Sequence, residues 1–201
     1  MLITGGNGFL RYHLSKKGVS DGIDVTVLDD LSILDTVKFS SDIMFIKERV
    51  EESMIYGRFD YIFHLAAKPS PEGYVSNPLE TLLSNSIGTL KMLKLAHKFN
   101  LRFIYPSSSQ VYGDARVIPT LGSYYGYVNP NGIRSCCYEG KRYSEVLIIA
   151  FHRKFNLDTR IQRPFNVYGP GIRPDGQYGQ YGRVIPRFLQ QTISGNDITI
   201  H

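Results

Sequence analysis

Seven short apolar runs punctuate the chain, each bounded by Gly, Pro, Asn or Asp: Met1–Thr4, Asp24–Asp29, Ile43–Ile46, Tyr61–Leu65, Arg102–Tyr105, Thr159–Gln162 and Ile198–Ile200. They are too short for helices and mostly apolar from end to end, the pattern of strands buried on both faces of a parallel sheet. Between them, apolar residues recurring every three or four positions predict helices over Gly8–Lys17, Pro78–Phe99, Cys136–Phe155 and Val184–Ser194. Alternation of this kind predicts an α/β protein with a Rossmann-like, doubly wound parallel sheet. Ala115–Arg134 and Pro164–Arg183, rich in Gly, Pro, Tyr and Asn, read as long loops, and such loops carry the substrate sites of this architecture. The small duplication within Gly176–Gly182 reads as a mobile loop.

Composition narrows this picture. A chain of 201 residues, 42% hydrophobic, is large enough for one sizeable core and fits a single domain over 1–201. The net charge of +5 is spread along the chain without a basic run, which argues against nucleic acid or membrane as partner. The only two cysteines are neighbours, and a bridge between them would be strained, so reduced thiols and a cytoplasmic location are expected. No apolar stretch approaches the ~20 residues that cross a bilayer. The scattered histidines form no metal-binding spacing, and no metal is expected. Both ends read as cut, because the first strand is very short and the last one ends the chain.

The strongest chemical signal follows the first strand, where Thr4-Gly5-Gly6-Asn7-Gly8-Phe9-Leu10-Arg11 opens a helix. Glycine lets backbone approach a pyrophosphate, and a helix N-terminus offers free N–H groups and partial positive charge. Asp29 ends the second strand, where a carboxylate accepts both ribose hydroxyls of NAD and repels the 2′-phosphate of NADP. NAD is the expected cofactor. The bland alternative, a tight turn with a solvent-facing Asp, fits the strand–helix–strand context poorly.

Further motifs follow in a telling order: Phe63-His64-Leu65-Ala66-Ala67, the run from Asn85 to Leu93, Tyr105-Pro106-Ser107-Ser108-Ser109-Gln110-Val111-Tyr112-Gly113, and Arg163-Pro164-Phe165-Asn166-Val167-Tyr168-Gly169. In this order they resemble the extended short-chain dehydrogenases, the NAD-dependent epimerase/dehydratase family, over essentially the whole chain. Arg134-Ser135-Cys136 followed by Glu139-Gly140-Lys141-Arg142 looks most like the UDP-glucuronate decarboxylase branch, whose C-terminal substrate region of roughly a hundred residues is missing here. The resemblance implies a UDP-sugar substrate, a homodimer, and chemistry through a 4-keto sugar. It assigns cofactor contacts to Gly5, Gly8, Phe9, Leu10, Asp29, Leu65, Ala66, Ala67 and Lys141, and substrate contacts to Asn166, Arg134 and Arg187. Ser108 matches the hydroxyl that bonds the reacting sugar oxygen, although a Ser triplet at a strand end can be turn chemistry. Asn85 matches a helix-stabilising residue near the site, and His64 reads as structural.

Several positions depart from the family pattern. Family members carry Tyr four residues before the Lys, so that both share a helix face and the ammonium lowers the phenol's pKa. Here Cys137 takes that place. Its thiol is acidic enough (~8.5 as a free group) but too short to reach a sugar hydroxyl. Tyr138 is turned ~100° away on a regular helix, and only a π-bulge upstream would re-aim it. Gln110 replaces a Glu and cannot take a proton. Arg11 replaces the third glycine of the fingerprint, threatening helix–sheet packing unless its guanidinium turns towards the phosphates. Arg49 replaces an adenine-contacting Asp. Three readings stay open: a decarboxylase-like enzyme of low activity, a 4-epimerase or 4,6-dehydratase, and a non-catalytic nucleotide-binding relic.

Overall fold

The computed structural model describes residues 1–5, 9–32, 40–68, 71–170 and 184–200. Six strands, β1 (Leu2–Thr4), β2 (Val25–Asp29), β3 (Ile43–Lys47), β4 (Tyr61–His64), β5 (Arg102–Pro106) and β6 (Thr159–Gln162), form one all-parallel sheet in the order β3-β2-β1-β4-β5-β6. This is the expected doubly wound arrangement, with the strand order reversing between β1 and β4. β1 and β2 are buried at every position. The helices are α1 (Phe9–Ser20), α2 (Pro71–Ser76), α3 (Pro78–Leu83), α4 (Thr89–Phe99), α5 (Ser135–Phe155) and α6 (Val184–Ile193). One apolar cluster joins Leu2, Ile62, Phe103 and Tyr105 of the sheet to Leu93, Ala96 and Ile148 of α4 and α5. A second, on the other side, joins Ile3 and Val27 to Leu14 of α1.

Local chemistry sets the element ends. α4 and α5 stop at Asn100 and Asn156, both in the left-handed conformation (φ 52°) that Asn tolerates at a helix C-terminus. Pro78 opens α3 at a first-turn position that needs no N–H and separates it from α2. The helix expected over Pro78–Phe99 is interrupted by one π-helical turn, Ser84–Gly88. That turn buries Asn85, whose amide donates to Thr81 O (2.8 Å) and whose Oδ1 accepts from the Tyr105 hydroxyl (3.1 Å).

One expectation is corrected. Ile198–Ile200 forms no strand; Thr199 is instead held to α6 by Gln191, whose Nε2 donates to Thr199 Oγ1 (3.0 Å). α2 is a short helix that the sequence periodicity does not mark. The Gly176–Gly182 duplication lies outside the described residues.

A buried polar chain crosses the interior. Thr4 Oγ1 meets His64 Nδ1 (2.6 Å), His64 Nε2 meets Thr89 Oγ1 (3.1 Å), and Thr89 meets Ser144 Oγ (3.1 Å), which also donates to the Asn85 carbonyl. Burial, with the Lys141 charge nearby, holds His64 down to about 3, so it is neutral and structural, as its sequence context suggests. Arg163 forks onto Glu145 (3.0 and 2.6 Å), tying the end of β6 to α5.

Candidate active site

Parallel strands in this order leave a crevice beyond their C-terminal ends, deepest where the order reverses. Here it is a cavity of about 530 Å³, walled by residues that follow each of the six strands together with residues of the flanking helices. Gly5 turns the chain out of β1 with φ +74°, and any Cβ there would stand 2.2 Å from the Ala66 backbone. Only glycine lets the first turn press this closely against the segment after β4. Asp29 sits at the end of β2, 9% exposed, with Oδ1 accepting from the Leu31 N–H (2.6 Å).

Gly5, Phe9, Leu10, Asp29, Leu65, Ala66 and Ala67 all border this cavity, as do Ser108, Gln110, Cys137, Lys141 and Asn166. The structure thus brings the expected cofactor residues and the expected reaction residues into one space. Gly8 lies outside the described residues. Arg134 at the head of α5, Tyr138 on α5 and Arg187 on α6 do not border the cavity, whereas Val184, Ile185 and Pro186 of α6 do.

Lys141 points from α5 under the end of β5. Its ammonium donates to the Pro106 carbonyl (2.9 Å) and lies 4.5 Å from the Tyr105 ring centre. Burial lowers its pKa to about 8, against the opposing pull of Cys137 and Glu145. Ser108 caps a short 3-10 turn, Ser109–Tyr112, and its Oγ accepts from the Gln110 N–H (3.2 Å). The turn-chemistry role and the site position therefore coexist in this one residue.

At position 137 the structure sharpens the expectation. The Cys137 thiol donates to Gln110 Oε1 (3.0 Å) and is pushed up to about 11 by burial, Lys141 pulling the other way. It is a neutral thiol at physiological pH, less acidic than a free cysteine rather than equal to one. α5 runs as an unbroken α-helix from Ser135, so the bulge that would re-aim Tyr138 is absent, and Tyr138 packs beside Cys136 and Cys137.

Arg11 is accommodated in α1 with 5% exposure and its side chain borders the cavity. Burial lowers its pKa while the nearby Asp29 carboxylate raises it, which places the guanidinium towards the Asp29 end of the crevice. The substitution is turned inward rather than breaking the helix–sheet packing. Arg49 pairs with Glu51 (2.7 Å) at the same end.

Two residues of this cavity escape sequence reasoning. Tyr74 on α2 is 1% exposed and Ser107 is 5% exposed; both border the cavity, and neither hydroxyl has a hydrogen-bond partner among the described residues. A lone Tyr between two prolines carries no periodic signal, and Ser107 stands beside the better-matching Ser108. Buried orphan hydroxyls, a glycine-only turn and a carboxylate at the end of β2 fit a polar ligand of dinucleotide type.

Fold and site together define a dinucleotide-binding Rossmann domain whose crevice extends to Ser108 and Lys141. The description "NAD dependent epimerase/dehydratase family" matches residues 1–201, and the chain belongs to that family, with NAD as its cofactor. It is 37% identical to UDP-glucuronic acid decarboxylase 1 of Xenopus tropicalis, covering all of this chain and 48% of that protein. It is 39% identical to UDP-glucuronic acid decarboxylase 6 of Arabidopsis thaliana, covering all of this chain and 58% of that protein. Among solved structures, the UDP-glucose 4-epimerase of Thermotoga maritima, bound to UDP-glucose, superposes with a TM-score of 0.84 at 28% identity, over 99% of this chain and 64% of that one. The chain spans about half the length of the curated relatives it matches.

Proposed function

We propose that this chain is the NAD-binding part of a nucleotide-sugar-modifying enzyme of UDP-glucuronate decarboxylase type. The observation that carries this reading is the placement of Asp29, Ser108 and Lys141 around one cavity, cofactor end and reaction end continuous. Relatives named as UDP-glucuronic acid decarboxylases and a solved UDP-glucose 4-epimerase support a UDP-sugar as substrate. When bound, NAD supplies the hydride acceptor for oxidation of a sugar hydroxyl.

The chain's own residues divide the remaining work. Asp29 accepts hydrogen bonds from the adenosine ribose. Lys141 is the positive charge nearest the reaction end, Ser108 holds the sugar oxygen, and Asn166, beyond β6, contacts the sugar nucleotide. Arg134 and Arg187 stand outside the cavity wall, where they act on the diphosphate or carboxylate only through longer reach. Cys137, neutral and engaged with Gln110, leaves position 137 without proton-transfer capacity. Gln110 accepts a hydrogen bond but takes no proton, which disfavours dehydration more than decarboxylation or epimerisation.

Cys137 and Arg11 favour a second reading, a protein that binds NAD and a sugar nucleotide with little turnover. The experiment that separates the two incubates the protein with NAD and UDP-glucuronate and follows the sugar product by chromatography. Turnover above background supports the enzyme; binding of both ligands without product supports the second reading. Absence of NAD binding by calorimetry removes both.

The family resemblance further suggests a homodimer. α3 packs on α5, and both leave apolar side chains exposed: Leu79, Leu82 and Ile87 near the first, Val146 and Ile149 on the second. Free, buried Cys136 and Cys137 support a reducing, cytoplasmic setting.

A further inference from the structure

The position on α5 where this family's reaction places a phenol holds a neutral thiol, yet a phenol borders the same cavity from another element. Tyr74 comes from α2. Its ring belongs to a small buried cluster with Cys136 and Cys137, and the Cys136 thiol donates to the Tyr74 carbonyl (3.3 Å), fastening α2 to the start of α5. The ring is among the largest fully buried side chains of the chain, and its hydroxyl is enclosed without a hydrogen-bond partner among the described residues. Gln110 stands beside that hydroxyl, where it favours the ionised phenol, while its Oε1 accepts from the Cys137 thiol at 3.0 Å. A hydroxyl left so costs about 1–3 kcal/mol, a cost relieved when a polar group enters the cavity.

We propose that Tyr74 is the proton-transfer residue of this site, its phenol reaching from α2 into the place that Cys137 leaves on α5. The proposal rests on the nucleotide-sugar reading above. In the oxidative direction the O–H proton of the sugar hydroxyl passes to the Tyr74 phenolate, the C–O bond becomes a carbonyl, and the hydrogen leaves carbon with its electron pair for oxidised NAD. In the reverse direction Tyr74 returns the proton to the carbonyl oxygen. No further oxidant or base is needed.

The groups facing Tyr74 set its pH behaviour. Burial comes first and pushes it up to about 12; the Cys137 thiol and Tyr138 push the same way, while the Arg134 guanidinium at the head of α5 and the Gln110 side chain pull it down. Arg134 is thus the cation that favours the phenolate, a positioning role for a residue outside the cavity wall. Because the resting phenol is neutral, the rate rises with pH between about pH 7 and about pH 10.

The test uses the full chain, its Tyr74→Phe variant and the Tyr74→Phe, Cys137→Tyr double variant. Calorimetry measures NAD and UDP-glucuronate binding. Reduced dinucleotide is followed by its near-ultraviolet absorbance after mixing, and tyrosinate absorbance is titrated on each apo protein. Tyr74→Phe keeps the ring and its packing. It is expected to bind both ligands, to lose one late-titrating phenol, and to lose about 100-fold or more of the rate. Cys137→Tyr added to it is expected to recover rate by returning a phenol to α5. A Tyr74→Phe rate equal to wild type overturns the proposal, and so does a wild-type protein that binds UDP-glucuronate with no conversion at any pH. Failure of wild type to bind UDP-glucuronate removes the nucleotide-sugar reading itself, and the proposal with it.

Discussion

Lys141 illustrates how one buried charge governs both chemistry and stability. Its folded-state pKa, about 8, lies below its ordinary value of 10.5, so the fold prefers the neutral amine. Between those two values the unfolded chain binds the extra proton, and stability therefore rises with pH across that window. Thermal denaturation of wild type and Lys141→Met from neutral to alkaline pH measures this directly. The wild-type melting temperature is expected to climb relative to the variant as pH rises through the window, and a constant difference would show that Lys141 carries no such cost. At the other end of the crevice, Asp29→Ala removes the carboxylate expected to hold the ribose. NAD affinity should fall about 10- to 100-fold, the scale of hydrogen bonds to a charged group, and calorimetry giving an unchanged dissociation constant would remove Asp29 from the binding site.

At the scale of elements, the π-helical turn between α3 and α4 links helix geometry to the site. It places Asn85 where the Tyr105 hydroxyl can donate to it, beneath the ring over which Lys141 lies. Asn85→Ala strands that hydroxyl in the core, and urea unfolding should register a loss of about 1–3 kcal/mol; a change under about 0.5 kcal/mol would show that the turn holds itself. How far the elements could be read in advance follows from their physics. The strands were legible because burial on both faces demands unbroken apolar runs, as in Val25–Asp29. Ile198–Ile200 is similarly β-branched but pairs with no strand among the described residues, and pairing is a property of neighbours rather than of a segment. The π turn and α2 left no periodic trace. The cavity positions of Gly5 and Asp29 were legible because glycine and carboxylate requirements are local, whereas Tyr74 reaches the cavity only through tertiary packing against Cys136 and Cys137.

The whole molecule presents an apolar stripe where α3 and α5 face outward, and a homodimer through it should bury Val146, which is 65% exposed in the single chain. Sedimentation of wild type and Val146→Glu checks this: a dimer that the charge converts to monomer is expected, and a monomeric wild type would show that the stripe has another use. Among the described residues no helix is long and apolar enough to cross a membrane.

The cavity's walls begin at Gly5 and end at Pro186, drawing on all six strand ends along nearly the whole chain. No contiguous fragment can assemble it, because its halves meet only when β1 and β4 pair. Binding is therefore a reporter of global folding. Sheets that join distant segments close late and slowly, so dinucleotide affinity should emerge only in the last step of refolding. Each ligand molecule captured then pulls the folding equilibrium forward by mass action.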